Sequence, residues 1–231
     1  MLVLQIPVAD TINALATTIQ EQEFDSLSII DLTMKGGWIM AILAILSIIA
    51  VYIFIERWLT LRKADQEEKY FMDEIKEHIH QGRLKEATAL CKRQNTPSAR
   101  MTEKGISRLG KPLNDINAAI ENVGNLEISR LEKNLTALAT ISGAAPMLGF
   151  LGTVMGMVTA FYDMSKAGNN IDIQLLSSGI YQAMITTVGG LIVGIAAYVG
   201  YNVLVGRIDR IIFKLERRTT EFLDLLNEPV A

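Results

Sequence analysis

Three long runs without a charged residue organise this chain. Gly36 to Ile55 covers 20 residues, Asn134 to Tyr162 covers 29, and Ile173 to Gly206 covers 34. A hydrocarbon core about 30 Å thick is crossed by about 20 residues of helix. The first run fits one crossing, and the other two cross and still project into water. A soluble helix of such length carries a charged stripe, and these carry none. The pattern predicts an all-α membrane protein with three transmembrane helices, spans two and three extending into a cytoplasmic helical domain. The expected divisions are span one at 36–59, a helical domain at 60–134, span two at 135–162, a short link at 163–172, span three at 173–206 and a final helix at 207–231.

Between the first two runs, breakers punctuate a helical pattern. Tyr70, Phe71, Ile75 and Ile79 predict a helix from Ala64 to Gln81, with Gly82 as its cap. A second helix is expected from Leu84 to Gln94, closed by Asn95-Thr96-Pro97, and a third from Ala99 to Leu109, ending at Gly110. Pro112 suits the first turn of the next helix. No strong breaker follows before Pro146, which predicts one helix rising from the domain through span two to Tyr162. In residues 1–35, Ile12, Leu15, Ala16 and Ile19 follow Asp10 and Thr11 at helical spacing, an amphipathic helix on a membrane surface. Acids through this stretch and the lack of a basic start exclude a secretory leader.

Charge then orients the chain. Of 22 Lys and Arg, only Lys35 and Lys166 lie outside the central segment, the tail and the junction residue Arg57. The positive-inside rule puts the central segment and tail in the cytoplasm, and the N-terminus and the 163–172 link outside. Trp38 and Trp58 sit near the two ends of span one, at belt positions. One cysteine, Cys91, excludes an internal disulfide, and His78 and His80 point apart on a helix, so neither predicts a metal site. No nucleophile elbow, phosphate loop or Rossmann glycine pattern is present, and the bases are interleaved with acids. Enzyme and nucleic-acid classes drop out, and no cofactor is expected. A basic face for anionic phospholipid remains open in the central segment.

The spans differ chemically. Span one is aliphatic, with Ser47 alone polar at its centre, and reads as lipid-facing. On span two Ala145, Gly149, Gly152, Gly156 and Ala160 share one helical face; on span three Gly190, Gly194, Ala197 and Gly200 form a second small stripe. Small residues let helix backbones approach closely in lipid. Span three also carries Ser178, Gln182 and Thr186 four apart, with Thr187 beside them, and span two carries Thr153 among its glycines. A glutamine in hydrocarbon requires a protein interior or a wet passage. Two readings stand: a polar helix-lined passage, or interhelical hydrogen bonding without transport. No acid or base lies inside the runs, so a proton path would take its titrating group from elsewhere.

Two stretches resemble a known family. Leu138-Ala139-Thr140-Ile141 through Ala145-Pro146-Met147-Leu148-Gly149-Phe150-Leu151-Gly152-Thr153-Val154, and Gly179-Ile180-Tyr181-Gln182-Ala183-Met184-Ile185-Thr186-Thr187 through Gly189-Gly190-Leu191, are similar to the two membrane motifs of the proton-channel energiser subunits ExbB, TolQ and, more distantly, MotA. The resemblance covers roughly residues 30–220 and leans towards ExbB. It implies a homopentamer of the inner membrane whose spans two and three line a pore. It also implies an ExbD-type single-span partner supplying a protonatable Asp, and a TonB-type protein as the energised component. Thr153 and Thr187 map onto the pore threonines, with Gln182, Thr186 and Ser178 on the same pathway and Pro146 among the packing positions. Where ExbB and TolQ usually carry Glu on span three, this chain has Gln182, which hydrogen-bonds but cannot titrate. A TolQ-like envelope role and a non-conducting scaffold are the alternatives; a MotA-like stator would need four spans.

Overall fold

The computed structural model describes residues 37–66, 70–167 and 173–227. The helix expected within 1–35 lies outside them. Seven helices account for almost all of the described chain: α1 Gly37–Ala64, α2 Phe71–His80, α3 Leu84–Gln94, α4 Pro97–Ile106, α5 Leu113–Leu131, α6 Leu135–Ala167 and α7 Ile173–Asn227. Three apolar stretches long enough to cross a membrane fall on α1, on α6 and on the first part of α7. No strand occurs among the described residues.

Several boundaries differ from the sequence expectation. Span one's helix does not stop near residue 59 but runs on to Ala64, and the next begins at Phe71 rather than Ala64. The rise into span two is not one helix. It breaks at 132–134, where Asn134 takes φ 65°, before α6 starts at Leu135. Asparagine tolerates the left-handed region better than most side-chain-bearing residues, so it turns the chain without a glycine. Pro146 sits inside α6 without ending it, as a helix reaching Tyr162 requires. The link after span two is shorter than expected, because α6 continues to Ala167. Span three and the final helix are one element of 55 residues.

The four shorter helices pack into a core that is continuous with α1, α6 and α7. Phe71, Ile75, Ala87, Leu90, Ala99, Ile116 and Ile120 are buried together with Leu215 and Phe222 from the far end of α7. Gly105 admits that end: a Cβ there would lie 2.5 Å from the Phe222 ring. At the start of α4, Thr96 accepts the Ala99 N–H at 3.3 Å and Pro97 follows at the first helical position. Asn95 closes α3 in the left-handed region.

Cys91 is buried in this core, and burial, aided by the Glu103 charge, pushes its thiol up to about 12. A thiol raised in the fold contributes stability below the ordinary thiol range and loses it as pH climbs through and above that range. Cys91 is therefore expected to resist maleimide in the native membrane protein at pH 8 and to react only after denaturation. Rapid native labelling would contradict this burial.

Span one is not simply lipid-facing. Ile39, Leu43, Ala50, Ile53, Arg57 and Leu61 are buried on one side, while Ile45, Ile48, Val51, Tyr52, Ile55 and Leu59 remain exposed on the other. Trp58 is engaged as well, with Arg207 3.6 Å from its ring centroid and Phe54 beside it. Midway along, a half-open cavity of about 310 Å³ lies among α1, α6 and α7, lined by Ser47, Ala50, Phe54, Leu138, Val193 and Gly200 among others.

A hydroxyl pair between the second and third membrane helices

Glycines bring α6 and α7 into backbone contact. A Cβ on Gly149 would lie 2.9 Å from the Thr186 carbonyl, and one on Gly190 would lie 2.6 Å from the Ala145 carbonyl. Gly156 faces Ala183 and Gly179, while Gly152 faces Thr186. Gly194 abuts the Pro146 ring, so the proline packs against a glycine of the neighbouring helix. Gly200 belongs elsewhere: it faces Phe54 of α1. Gly179 and Ala183 complete the interface, and they went unnoticed in sequence because they stand beside bulkier polar residues. Their spacing of four, continued to Gly190 and Gly194, was the available signal.

This close approach seats two hydroxyls together. Thr153 and Thr187 are hydrogen-bonded through their Oγ1 atoms, from α6 and α7 respectively. Each also lies 3.3 Å from the Gly149 carbonyl oxygen, and the Ala183 carbonyl oxygen is 3.4 Å from Thr153 and 3.5 Å from Thr187. Four oxygens thus share two hydroxyl protons, inside a stretch without any charged side chain. Each hydroxyl can donate to its partner or to a carbonyl, so the pair has two equivalent polarities. An Oγ1 that accepts from one side while donating to the other is the element from which a hydrogen-bonded proton path is made.

The other predicted polar residues are placed differently. Thr186 is buried, with its hydroxyl donated to the Ala183 carbonyl at 2.8 Å and its side chain under Gly152. Ser178 and Gln182 are exposed in the single chain, and the Gln182 amide nitrogen reaches Gly37 at the start of α1.

Where the span-one helix leaves the membrane, a charged cluster unforeseen in sequence joins four elements. Glu127 of α5, 3 % exposed, accepts from Arg100 Nε of α4 at 2.9 Å and from Arg130 Nη1 at 2.6 Å. Arg100 also donates to the Asn95 carbonyl and side-chain oxygens, each at 2.7 Å. The buried Arg57 of α1 donates to the Arg130 carbonyl at 3.1 Å. Partners 27 and 73 residues apart carry no periodic signal.

The architecture is that of an all-helical, multi-pass membrane protein with a polar, uncharged seam between its two glycine-rich spans. Residues 93–217, more than half the chain, match the model of the MotA/TolQ/ExbB proton channel family. The chain belongs to that family, and is a subunit of the ExbB/TolQ type rather than an enzyme. It is 29 % identical over 190 residues to a putative biopolymer transport protein ExbB homolog of Methanothermobacter thermautotrophicus, covering 82 % of this chain and 67 % of that one. It is 28 % identical over 201 residues to the Tol-Pal system protein TolQ of Haemophilus influenzae, covering 80 % and 87 %. A biopolymer transport protein ExbB of Helicobacter pylori is 40 % identical over 79 residues, 34 % of this chain and 54 % of that one.

Proposed function

We propose that this protein is the ExbB-like, pore-forming subunit of an inner-membrane motor that uses the proton gradient to energise outer-membrane transport. The Thr153–Thr187 pair carries the reading. It is a two-hydroxyl, two-carbonyl seam held between helices by glycine packing, inside runs that carry no charged side chain. A homopentamer would gather such seams around one passage. An ExbD-type partner helix would bring the carboxylate that the charge-free runs lack, and a TonB-type protein would receive the motion. In this scheme a proton arrives at the partner carboxylate by way of the hydroxyl pair. Neutralising that carboxylate removes its need for polar contacts, and the partner helix shifts to a new position. The N-terminus lies outside and the basic central segment and tail lie in the cytoplasm, as the distribution of Lys and Arg supports. Likeness to TolQ across most of that protein's length supports a second reading, the same machine serving envelope maintenance.

The test is proton uptake into liposomes holding the chain with its single-span partner. Thr187→Val removes a hydroxyl at nearly constant volume and is expected to slow uptake about tenfold, the equivalent of about 1.4 kcal/mol in barrier. Thr187→Ser keeps the hydroxyl and is expected to retain most of the flux. Equal rates for the valine variant and the parent would reject the hydroxyl pair as the path and leave it a packing contact.

A further inference from the structure

Gln182 lies on a different stripe of α7 from the hydroxyl pair. At about 100° per residue, Thr187, Gly190 and Gly194 share the face turned to α6, while Gln182, Gly189 and Val193 form the adjoining stripe, with the Thr186 side chain turned to Gly152 of α6. Span one is seated along that second stripe. A Cβ on Gly189 would lie 2.9 Å from Met40 Sδ, and Val193 packs on the cluster of Ile39, Leu43 and Ala145. At its outer end, the Gln182 Nε2 lies 2.7 Å from where a Cβ on Gly37 would stand. Gly37 holds φ +67°, a conformation that side-chain-bearing residues rarely adopt. The amide therefore occupies a seat that exists because residue 37 has no side chain.

The base of α1 is fastened separately. Arg57 reaches the Arg130 carbonyl, Arg207 covers Trp58, and Asp65 pairs with Lys214. Between these ties and the outer contact lies the cavity of about 310 Å³. Ala50, Ile53 and Phe54 pack α1 on α7 around that cavity, and residues 37–43 make the outermost contacts of α1 with α7. We infer that Gln182 is a positioning residue, whose amide, seated on Gly37, fixes the outer end of span one against span three. Span one then buttresses α7 beside the stripe that carries Thr187. An uncharged amide serves this purpose without a titrating group, which gives a structural reason for glutamine at this position.

The contact can be tested apart from conduction, although its bearing on flux rests on the proposed function. In a Cys91→Ala background, Met40→Cys with Gly189→Cys reports the seating of span one through a short thiol cross-linker in membranes. Gln182→Ala is expected to lower cross-linking about fivefold, the effect of about 1 kcal/mol on the seated population. Gly37→Ala displaces the amide and is expected to do the same. The two together should lower it no further, because both remove one contact. Parental cross-linking in Gln182→Ala, or additive losses, would overturn the inference. Proton uptake by the Gln182→Ala complex should fall with the cross-link; a lost cross-link with undiminished uptake would overturn the positioning role. Thr187→Val leaves the α1 contact intact, so normal uptake in that variant would sink the conduction reading without touching the cross-link result.

Discussion

Gly190→Ala is expected to destabilise the membrane bundle by about 1–3 kcal/mol, the usual cost of forcing one methyl into a packed interface. The three nearest atoms to the added Cβ are all backbone: the Ala145 carbonyl oxygen at 2.6 Å, Gly149 Cα at 2.8 Å and Gly149 N at 3.0 Å. A side chain could swing aside, but a helix backbone cannot, so α6 and α7 must separate. Separation draws Thr153 from Thr187 and removes the shared seam, so proton uptake should fall along with stability. Gly206→Ala is the control, since a Cβ there meets nothing within 4 Å. It should be neutral or stabilising by up to about 1 kcal/mol, because alanine is the better helix former. Unfolding in mixed detergent would measure both; equal stability of the Gly190→Ala variant and the parent would refute backbone contact as the basis of the pair.

Arg100→Ala should be costlier, about 3–5 kcal/mol, the range for stranding one partner of a buried ion pair. Glu127 is almost wholly buried and would keep only Arg130, while the Asn95 oxygens would lose their donor. Glu127→Ala should cost less. The Arg100 and Arg130 side chains are 33 % and 69 % exposed, so water can take over their solvation. Replacing both partners, Arg100→Met with Glu127→Leu, should recover most of the loss, because the desolvation penalty disappears with the pair. Denaturant titration of the parent and the three variants gives their order of stability. A double variant as unstable as Arg100→Ala would mean that the cluster stabilises by more than charge compensation.

How much of this was legible in sequence follows from the range of each interaction. The three spans were legible because lipid excludes charge over whole helices. Thr153 and Thr187 were singled out by the family resemblance and by being polar residues in apolar runs, but that their hydroxyls bond each other was not legible. Pro146 left the expected helix through to Tyr162 intact, since a proline in a membrane helix can be accommodated by its neighbours, and here Gly194 accepts its ring. Asn134 misled: it ends a helix through its own backbone preference, without the glycine or proline that marks most breaks. Gln182 and Thr186 looked equivalent to Thr187 by spacing, yet one reaches Gly37 and the other is buried under Gly152. Which neighbour a helix face meets is decided by tertiary placement, which periodicity does not encode. The Arg57, Arg100 and Glu127 cluster was invisible for the same reason.

The unbroken α7 has a mechanical consequence. Its 55 residues make a rod about 80 Å long, whose far end enters the core of the shorter helices at Phe222. A rod without a joint cannot absorb a tilt along its length. Pivoted at its outer end, a tilt of about 5° sweeps the other end through about 7 Å, well over the 5.4 Å pitch of a helix. A small tilt beside Thr187 would therefore reach the helices that hold Phe222 enlarged.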